Sequence, residues 1–135
     1  MTAGAKGVPP EGAGVTGFGG FFFRAADPQG LATWYTETLG VGGVPKSLGD
    51  RPWKQQAGIT IFAPFPADTD YFGDPEKVFM LNFRTDDLDA LIAHIRSTGT
   101  DVTIDPAVHP QGRFARLVDP EGNPIELWEP AEAPK

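Results

Sequence analysis

The sequence predicts an α+β fold in which the order strand, helix, further strands occurs twice along the chain. Two segments carry this repeat: residues 20–40 read GFFFRAADPQGLATWYTETLG, and residues 80–99 read MLNFRTDDLDALIAHIRSTG. In each segment Phe-Arg precedes an aspartate, and a glycine follows that aspartate thirteen residues later. Because strand-like segments outnumber helical ones in both halves, the order indicates an α+β rather than an alternating α/β architecture.

The first half predicts a helix over residues 27–39. Asp27 is a natural N-cap, and Pro28 suits the first helical position. Gly40 can adopt the left-handed conformation that ends many helices. An apolar face at helical spacing is formed by Leu31, Trp34, Tyr35 and Leu39.

The second half predicts a matching helix over residues 86–98. Asp86 is its predicted N-cap, and Gly99 follows its last turn. Its apolar face is formed by Leu88, Leu91, Ile92 and Ile95. We expect both helices to lie outside the sheets.

The predicted strands set the organisation of the chain. They cover residues 19–24, 55–62, 77–84, 101–104, 112–118 and 124–129. Residues 1–16 are rich in Gly, Ala and Pro and are expected to form a flexible tail. Residues 17–130 are expected to form a single domain with a first module at 17–65, a turn-rich linker at 66–76 and a second module at 77–130.

Strict alternation along these strands assigns their side chains to two faces. The face expected to pack under the helices carries Phe21, Phe23, Ile59, Ile61, Phe79, Leu81 and Phe83. The second face collects Phe22, Arg24, Thr60, Phe62, Met80, Asn82, Arg84, Glu126 and Trp128. Large apolar groups with a few polar ones are typical of small-molecule sites. The alternative is that the same face is buried in a dimer.

Composition narrows the classes of function. The chain has 135 residues, which suits one domain, and no cysteine, which excludes disulfides and thiolate metal sites. Eleven basic and eighteen acidic residues give a net charge of −7, which disfavours nucleic acid and anionic membranes as partners. Because no apolar run approaches a membrane span and the N-terminus lacks the apolar core of a secretory signal, a cytoplasmic protein is expected.

The repeat, together with the segment DPEGNPIELWEP at residues 119–130, carries a family resemblance. The chain resembles the vicinal oxygen chelate superfamily, which includes glyoxalase I, bleomycin-resistance proteins, fosfomycin-resistance proteins and extradiol dioxygenases. The similarity covers about residues 16–130, and its most specific parts are AADPQGLATWYTETLGV and RFARLVDPEGNPIELWEP. The resemblance implies two βαβββ modules whose sheets curl around a shared cavity.

In the metal-dependent members of that superfamily, side chains from the first strand and a later strand of each module bind the ion. The resemblance places the last of these ligands at Glu126, which matches. The two positions that are usually histidine are Gly20 and Met80 here, and the remaining position falls near Thr60. The resemblance therefore implies a degenerate site, in which no cofactor is expected and a divalent metal is unfavoured.

Neighbouring residues do not readily replace the missing ligands. Phe22 is inert, and Asn82 is at best a weak neutral ligand. His94 is expected at the surface of the second helix. His109 lies on a loop from which it could swing towards Glu126, but one histidine and one glutamate do not make a tight site.

The state of Glu126 is the open question for the chemistry. A buried carboxylate needs a partner, or it becomes protonated. Arg24, Arg84 and Arg116 are the candidate partners, and pairing with one of them is the favoured hypothesis. An unpaired Glu126 could instead act as an acid or base.

Three functions remain open from the sequence. The first is binding of a small organic molecule, as in the bleomycin-binding proteins. The second is a glyoxalase-type lyase or isomerase that uses Glu126 as its base. The third is an interaction protein whose second face is buried in an oligomer. A homodimer is expected, because exposed strand edges invite pairing and Phe62 and Phe65 lie in an apolar-rich segment. Tyr71 and Phe72 on the linker either form a lid or fill the edge of the core.

Overall fold

The computed structural model describes residues 7–42 and 53–131. The helices are α1 and α2, and α1 continues directly into a π-helical turn. The strands β1 to β4 all follow the linker. The bounds are α1 Pro28–Trp34, the π-helical turn Tyr35–Leu39, β1 Leu81–Arg84, α2 Leu88–Ser97, β2 Thr103–Ile104, β3 Gly112–Val118 and β4 Pro124–Pro130.

The four strands form one sheet in the order β1-β4-β3-β2. β1 runs parallel to β4, whereas β4 with β3 and β3 with β2 are antiparallel pairs. The sequence from β1 through α2 to β4 is one βαβββ unit, as expected for the second module. The register places Asn82 beside Glu126 and Glu126 beside Arg116, so three polar side chains cross the sheet in one row.

Local capping chemistry explains where the helices begin and end. The Asp27 carboxylate accepts a hydrogen bond of 3.1 Å from the backbone N–H of Gly30, which confirms it as the N-cap of α1. Gly40 ends the π-helical turn with a left-handed φ of 76°. The N-cap of α2 is Asp87, not Asp86, and it accepts from Ala90 at 3.0 Å. Either aspartate has the chemistry of a cap, and the complete burial of Leu88 sets the helix start one residue later.

The core lies between the helices and one face of the sheet. Its largest fully buried side chains are Leu88, Ile95, Ile125 and Leu127. Leu81 and Phe83 pack against this cluster from β1, while Asn82 between them is exposed. The predicted alternation of β1 is therefore confirmed, and with it the assignment of Asn82 to the second face.

The structure corrects the prediction that the first half of the chain contributes strands. Within residues 7–42 and 53–131, the sheet contains no strand from before residue 81. Phe23 does reach the core, and its ring contacts Phe79 at 5.6 Å. Ile59 and Ile61, however, are 58% and 66% exposed and do not join the core as predicted. Alternation identifies the two faces of a strand. Its side chains become buried, however, only when the strand also pairs with a neighbouring strand.

The N-terminal segment has little contact with the rest of the domain. Residues 7–22 are exposed, with one turn closed by a hydrogen bond of 2.9 Å from Ala13 to Pro10. Residues 1–6 of the predicted tail lie outside the described residues, and the domain boundaries stay predictions. In the described part of the chain, no helix is long and apolar enough to cross a membrane.

Candidate functional site

Glu126 in β4 is the centre of the candidate site, and only 8% of its surface is exposed. Its Oε1 accepts a hydrogen bond of 2.7 Å from the side-chain amide of Asn82 in the neighbouring β1. Its Oε2 accepts a short hydrogen bond from the phenolic hydroxyl of Tyr71 in the linker. Both carboxylate oxygens are therefore engaged by neutral donors, which satisfy a buried polar group without a counter-ion.

The hypothesis that an arginine holds Glu126 is wrong for this structure. Arg84 donates instead to the backbone oxygen of Gln56, at 3.1 Å. Arg116, the register partner of Glu126 on β3, donates to the backbone oxygen of Tyr71. Arg24 is exposed in the segment before α1. The linker comes between Arg116 and the carboxylate, and sequence periodicity could not reveal this because the linker is irregular.

Tyr71 belongs to the candidate site through its bond to Glu126, but the sequence analysis did not include it among the ligand contacts. Its ring stacks on Phe65, with centroids 5.6 Å apart and planes 22° apart. The Arg116 guanidinium carbon lies 4.7 Å from the same ring centroid, within cation–π range. Burial and the hydrogen bond to Glu126 raise the pKa of Tyr71, so the phenol keeps its proton and donates a hydrogen bond to the carboxylate.

Trp128 lies two residues beyond Glu126 on the same face of β4 and is 8% exposed. Its indole N–H donates to the backbone oxygen of Gln111 at 2.8 Å. Its ring is nearly parallel to that of Phe114, with centroids 6.3 Å apart. Arg84 is its register partner on β1. The second face thus combines aromatic surface with a buried carboxylate, as the alternation of PIELWEP predicts.

The remaining predicted contacts lie apart from Glu126 or are open to solvent. Phe22 and Phe62 are 93% and 78% exposed, and Thr60 is exposed as well. Met80 is half-buried beside β1. An open recess of about 620 Å³ occurs elsewhere, after α2, and is lined by Arg96 and residues 99–103. Its lining is mostly polar and includes none of the predicted ligand contacts, so the contacts of Glu126 define the candidate site. The ligand-binding roles of the predicted residues stay predictions.

The side chains near Glu126 do not fit a divalent metal. Among the described residues, no three His, Asp or Glu side chains converge in a way that could hold an ion. His109 does not turn towards Glu126, because its ring nitrogen pairs with Asp105 at 2.8 Å. His94 contacts the backbone oxygen of Glu37 at 2.7 Å. One carboxylate with the amide of Asn82 and the phenol of Tyr71 as neighbours lacks the three or four suitable donors that such ions require.

The turn before β4 has a structural role. Asp119 is 3% exposed, and it accepts from the Tyr35 hydroxyl at 2.7 Å and from the side-chain amide of Asn123 at 2.8 Å. The Glu121 carboxylate accepts from the backbone N–H groups of Ala26 and Asp27, at 2.7 and 2.9 Å. The segment DPEGN therefore joins the start of the first helix to the last strand.

The βαβββ order, the DPEGN turn and a glutamate on the second face of the last strand define an α+β protein of the glyoxalase/bleomycin-resistance fold. This chain belongs to the family described as the Glyoxalase-like domain, whose model matches residues 20–128.

Known proteins resemble the chain over much of its length. It is 29% identical to TnmS3, an antibiotic binding protein from Streptomyces sp. CB03234, with a TM-score of 0.51 over 76% of this chain and 87% of that one. A glyoxalase/bleomycin resistance protein/dioxygenase superfamily member from Sphaerobacter thermophilus DSM 20745 is 23% identical, with a TM-score of 0.50 over 78% and 90% of the two chains, and shows the fold alone.

A curated relative adds a sequence match without a function. The uncharacterised protein YaeR of Escherichia coli (strain K12) is 34% identical over 85 residues, which is 60% of this chain. The match spans 64% of the length of YaeR.

Proposed function

We propose that this chain binds a small organic molecule on the second face, next to Glu126, and releases it unchanged. The observation that carries the proposal is a nearly buried carboxylate, held by two neutral donors, at the edge of an aromatic cluster. Such a group orients a ligand, while aromatic surface supplies affinity at roughly 25 cal/mol per Å² of apolar area buried. The likeness to TnmS3, an antibiotic binding protein, supports binding as the activity.

Binding without turnover follows from the chemistry of the donors. Glyoxalase-type isomerisation develops negative charge on the substrate, and this charge needs an electrophile to stabilise it. Near Glu126 the chain offers the amide of Asn82 and the guanidinium of Arg116, which is engaged with Tyr71. We therefore propose a degenerate metal site. A lyase or isomerase that uses Glu126 as its base is the alternative that the experiment must separate.

We further propose that the chain acts as a homodimer, because its first half exposes several large apolar side chains. Ile59, Ile61 and Phe62 lie between 58% and 78% exposed, and Phe22 is 93% exposed. Full burial of each such side chain is worth about 1.5–3 kcal/mol. The edge of β1 away from β4 is also free of any other strand among the described residues. In a two-fold symmetric dimer, the same apolar surface and strand edge of both copies would be covered at once.

The binding proposal is tested by comparing Glu126→Gln with Glu37→Gln. Both changes remove one negative charge, but the side chain of Glu37 is exposed on the π-helical turn. A glutamine at position 126 can still accept from Tyr71, so the fold is retained. We expect Glu126→Gln to weaken binding of hits from an aromatic small-molecule panel about tenfold or more, measured by calorimetry, because a hydrogen bond to a charged group is lost. Glu37→Gln should bind as the wild type does.

Two further measurements distinguish binding without turnover from the alternative, a lyase or isomerase that uses Glu126 as its base. The purified protein should contain no stoichiometric zinc, nickel, iron or manganese by elemental analysis. It should also leave a hemithioacetal unchanged, with or without added metal. About one metal ion per chain that is lost in Glu126→Ala, together with turnover, would establish the enzyme instead. Equal binding of every hit to Glu126→Gln and wild type would place the ligand elsewhere.

A further inference from the structure

The side chain of Tyr71 is held in the manner of a bound phenol. Its ring is flanked by the Phe65 ring and the Arg116 guanidinium. Its hydroxyl donates to Oε2 of Glu126. We infer that Tyr71 occupies a phenol-binding site in its own chain, and that the ligand is an aromatic molecule whose hydroxyl group displaces it. This inference rests on the proposed function, since it concerns the same carboxylate.

The other tyrosine of the chain shows how a purely structural phenol is placed. Tyr35 is 7% exposed, lies in the π-helical turn and donates a hydrogen bond to Asp119. The Asp119 carboxylate also accepts from the backbone N–H groups of Glu121 and Asn123. Tyr71 makes the same kind of bond to a buried carboxylate, yet 43% of its surface remains exposed. A tyrosine that faces water and reaches down to a buried acceptor is easier to exchange than one enclosed in the core.

The way in which the linker is attached to the sheet also favours displacement of Tyr71 by a ligand. Its turns are closed by hydrogen bonds from Thr69 to Pro66 at 3.0 Å and from Gly73 to Asp70 at 3.1 Å, and both are internal to residues 66–76. The hydrogen bonds that join the described linker to the sheet involve Tyr71, through Glu126 and Arg116. Withdrawal of Tyr71 would therefore break few other contacts and would leave the linker turns intact.

The contacts define the chemistry of the ligand. A hydroxyl is needed because the Oε2 of Glu126 loses its donor when Tyr71 leaves. A flat aromatic ring is needed to fill the space between Phe65 and Arg116. The ligand should be neutral or cationic, since Glu126 and the acidic residues of the linker repel anions. Those linker residues are Asp68, Asp70, Asp74 and Glu76.

The test uses Tyr71→Phe, which removes only the competing hydroxyl and keeps the ring. The probe is 2-naphthol, and 2-methoxynaphthalene is its counterpart without a donor. We expect Tyr71→Phe to bind 2-naphthol about fivefold more tightly than the wild type does, by calorimetry. One hydrogen bond of ordinary net strength favours the conformation with Tyr71 in the site by about this factor over the conformation in which the site is open. Affinity for 2-methoxynaphthalene should be well below that for 2-naphthol in both proteins, because it has no hydrogen to donate to Glu126, and should rise by a similar factor in Tyr71→Phe, because the cost of displacing Tyr71 falls for any ligand.

The matched control is Tyr35→Phe, which removes the same atom from the other tyrosine and should leave 2-naphthol affinity as in the wild type. Equal or weaker binding of 2-naphthol by Tyr71→Phe would overturn the inference, because Tyr71 would then be no competitor. Equal affinities of the two naphthalenes would overturn it as well, since the hydroxyl would not be what is recognised. Absence of 2-naphthol binding to both proteins would reject the phenol class. In each of these cases the Glu126→Gln comparison still decides the proposed function by itself.

Discussion

The hydroxyl of Tyr35 donates a hydrogen bond of 2.7 Å to Oδ2 of Asp119, and both residues are buried. Tyr35 follows α1 in the first half of the chain, and Asp119 opens the turn before β4 in the second half. The bond therefore crosses between the halves. It also answers why an aspartate begins the DPEGN segment: the carboxylate holds a phenol on one side and organises its own turn on the other.

Replacement of Tyr35 by Phe should destabilise the protein at neutral pH and reduce its sensitivity to alkali. Burial, followed by the hydrogen bond and charge of Asp119, raises the pKa of Tyr35. A group whose folded pKa is raised contributes stability that is complete below its unfolded pKa, about 10 for tyrosine, and that falls as the pH rises above it. We expect Tyr35→Phe to cost about 1–2 kcal/mol at pH 7, and the difference from wild type to shrink above about pH 10.

Urea unfolding at a series of pH values between neutral and strongly alkaline measures this difference. Tyr71→Phe serves as a comparison, because Tyr71 is far more exposed and its loss should cost less at neutral pH. A constant difference between Tyr35→Phe and wild type across the whole range would contradict the assignment of the buried phenol as the titrating group.

Glu121 should stabilise the first helix from a distance in sequence. Its carboxylate accepts from the N–H groups of Ala26 and Asp27, just before α1, where negative charge also favours the helix dipole. We expect Glu121→Ala to lower the free energy of unfolding by about 1 kcal/mol. Glu37→Ala is the matched control with an exposed side chain and should change stability little. Thermal unfolding of both variants decides the point, and equal melting temperatures would show that the bond contributes nothing.

Local chemistry made much of the fold predictable. Asp27, Pro28 and Gly40 specify the first helix through their own backbone preferences, and the structure places the cap and the left-handed glycine at these residues. The second cap is displaced by one residue because Asp86 and Asp87 have the same capping chemistry, and the tertiary contacts of Leu88, which is buried and donates its backbone N–H to Glu129, distinguish them.

Features that depend on distant partners were less accessible from the sequence. Alternation correctly put Glu126 and Asn82 on one face, and they are hydrogen-bonded there. The partner at Oε2 was not predictable, because Tyr71 lies in an irregular linker that has no periodicity to place it. Ile61 was expected in the core because a strand pattern shows which side chains share a face, but not whether a second strand covers that face.

The exposed segment of the first half gives the prediction for assembly. Ile61 is 66% exposed in the isolated chain, and its neighbour Phe62 is 78% exposed. Several exposed apolar side chains in one segment are typical of an interface. We expect the protein to form a dimer at micromolar concentration, with a mass by light scattering of twice the 14.5 kDa of the chain. Ile61→Lys should shift it towards the monomer, because a buried unpaired ammonium costs several kcal/mol.

Val108→Lys is the control, since Val108 is equally apolar and 76% exposed but lies on the loop between β2 and β3. It introduces the same charge and should leave the dimer intact. A monomeric wild type would reject the dimer outright. Dissociation by both lysine variants would mean that added positive charge, rather than the loss of apolar contact at Ile61, separates the chains. Retention of the dimer in Ile61→Lys would place the interface away from the 53–65 segment, and the exposure of Ile59, Ile61 and Phe62 would then need another partner to account for it.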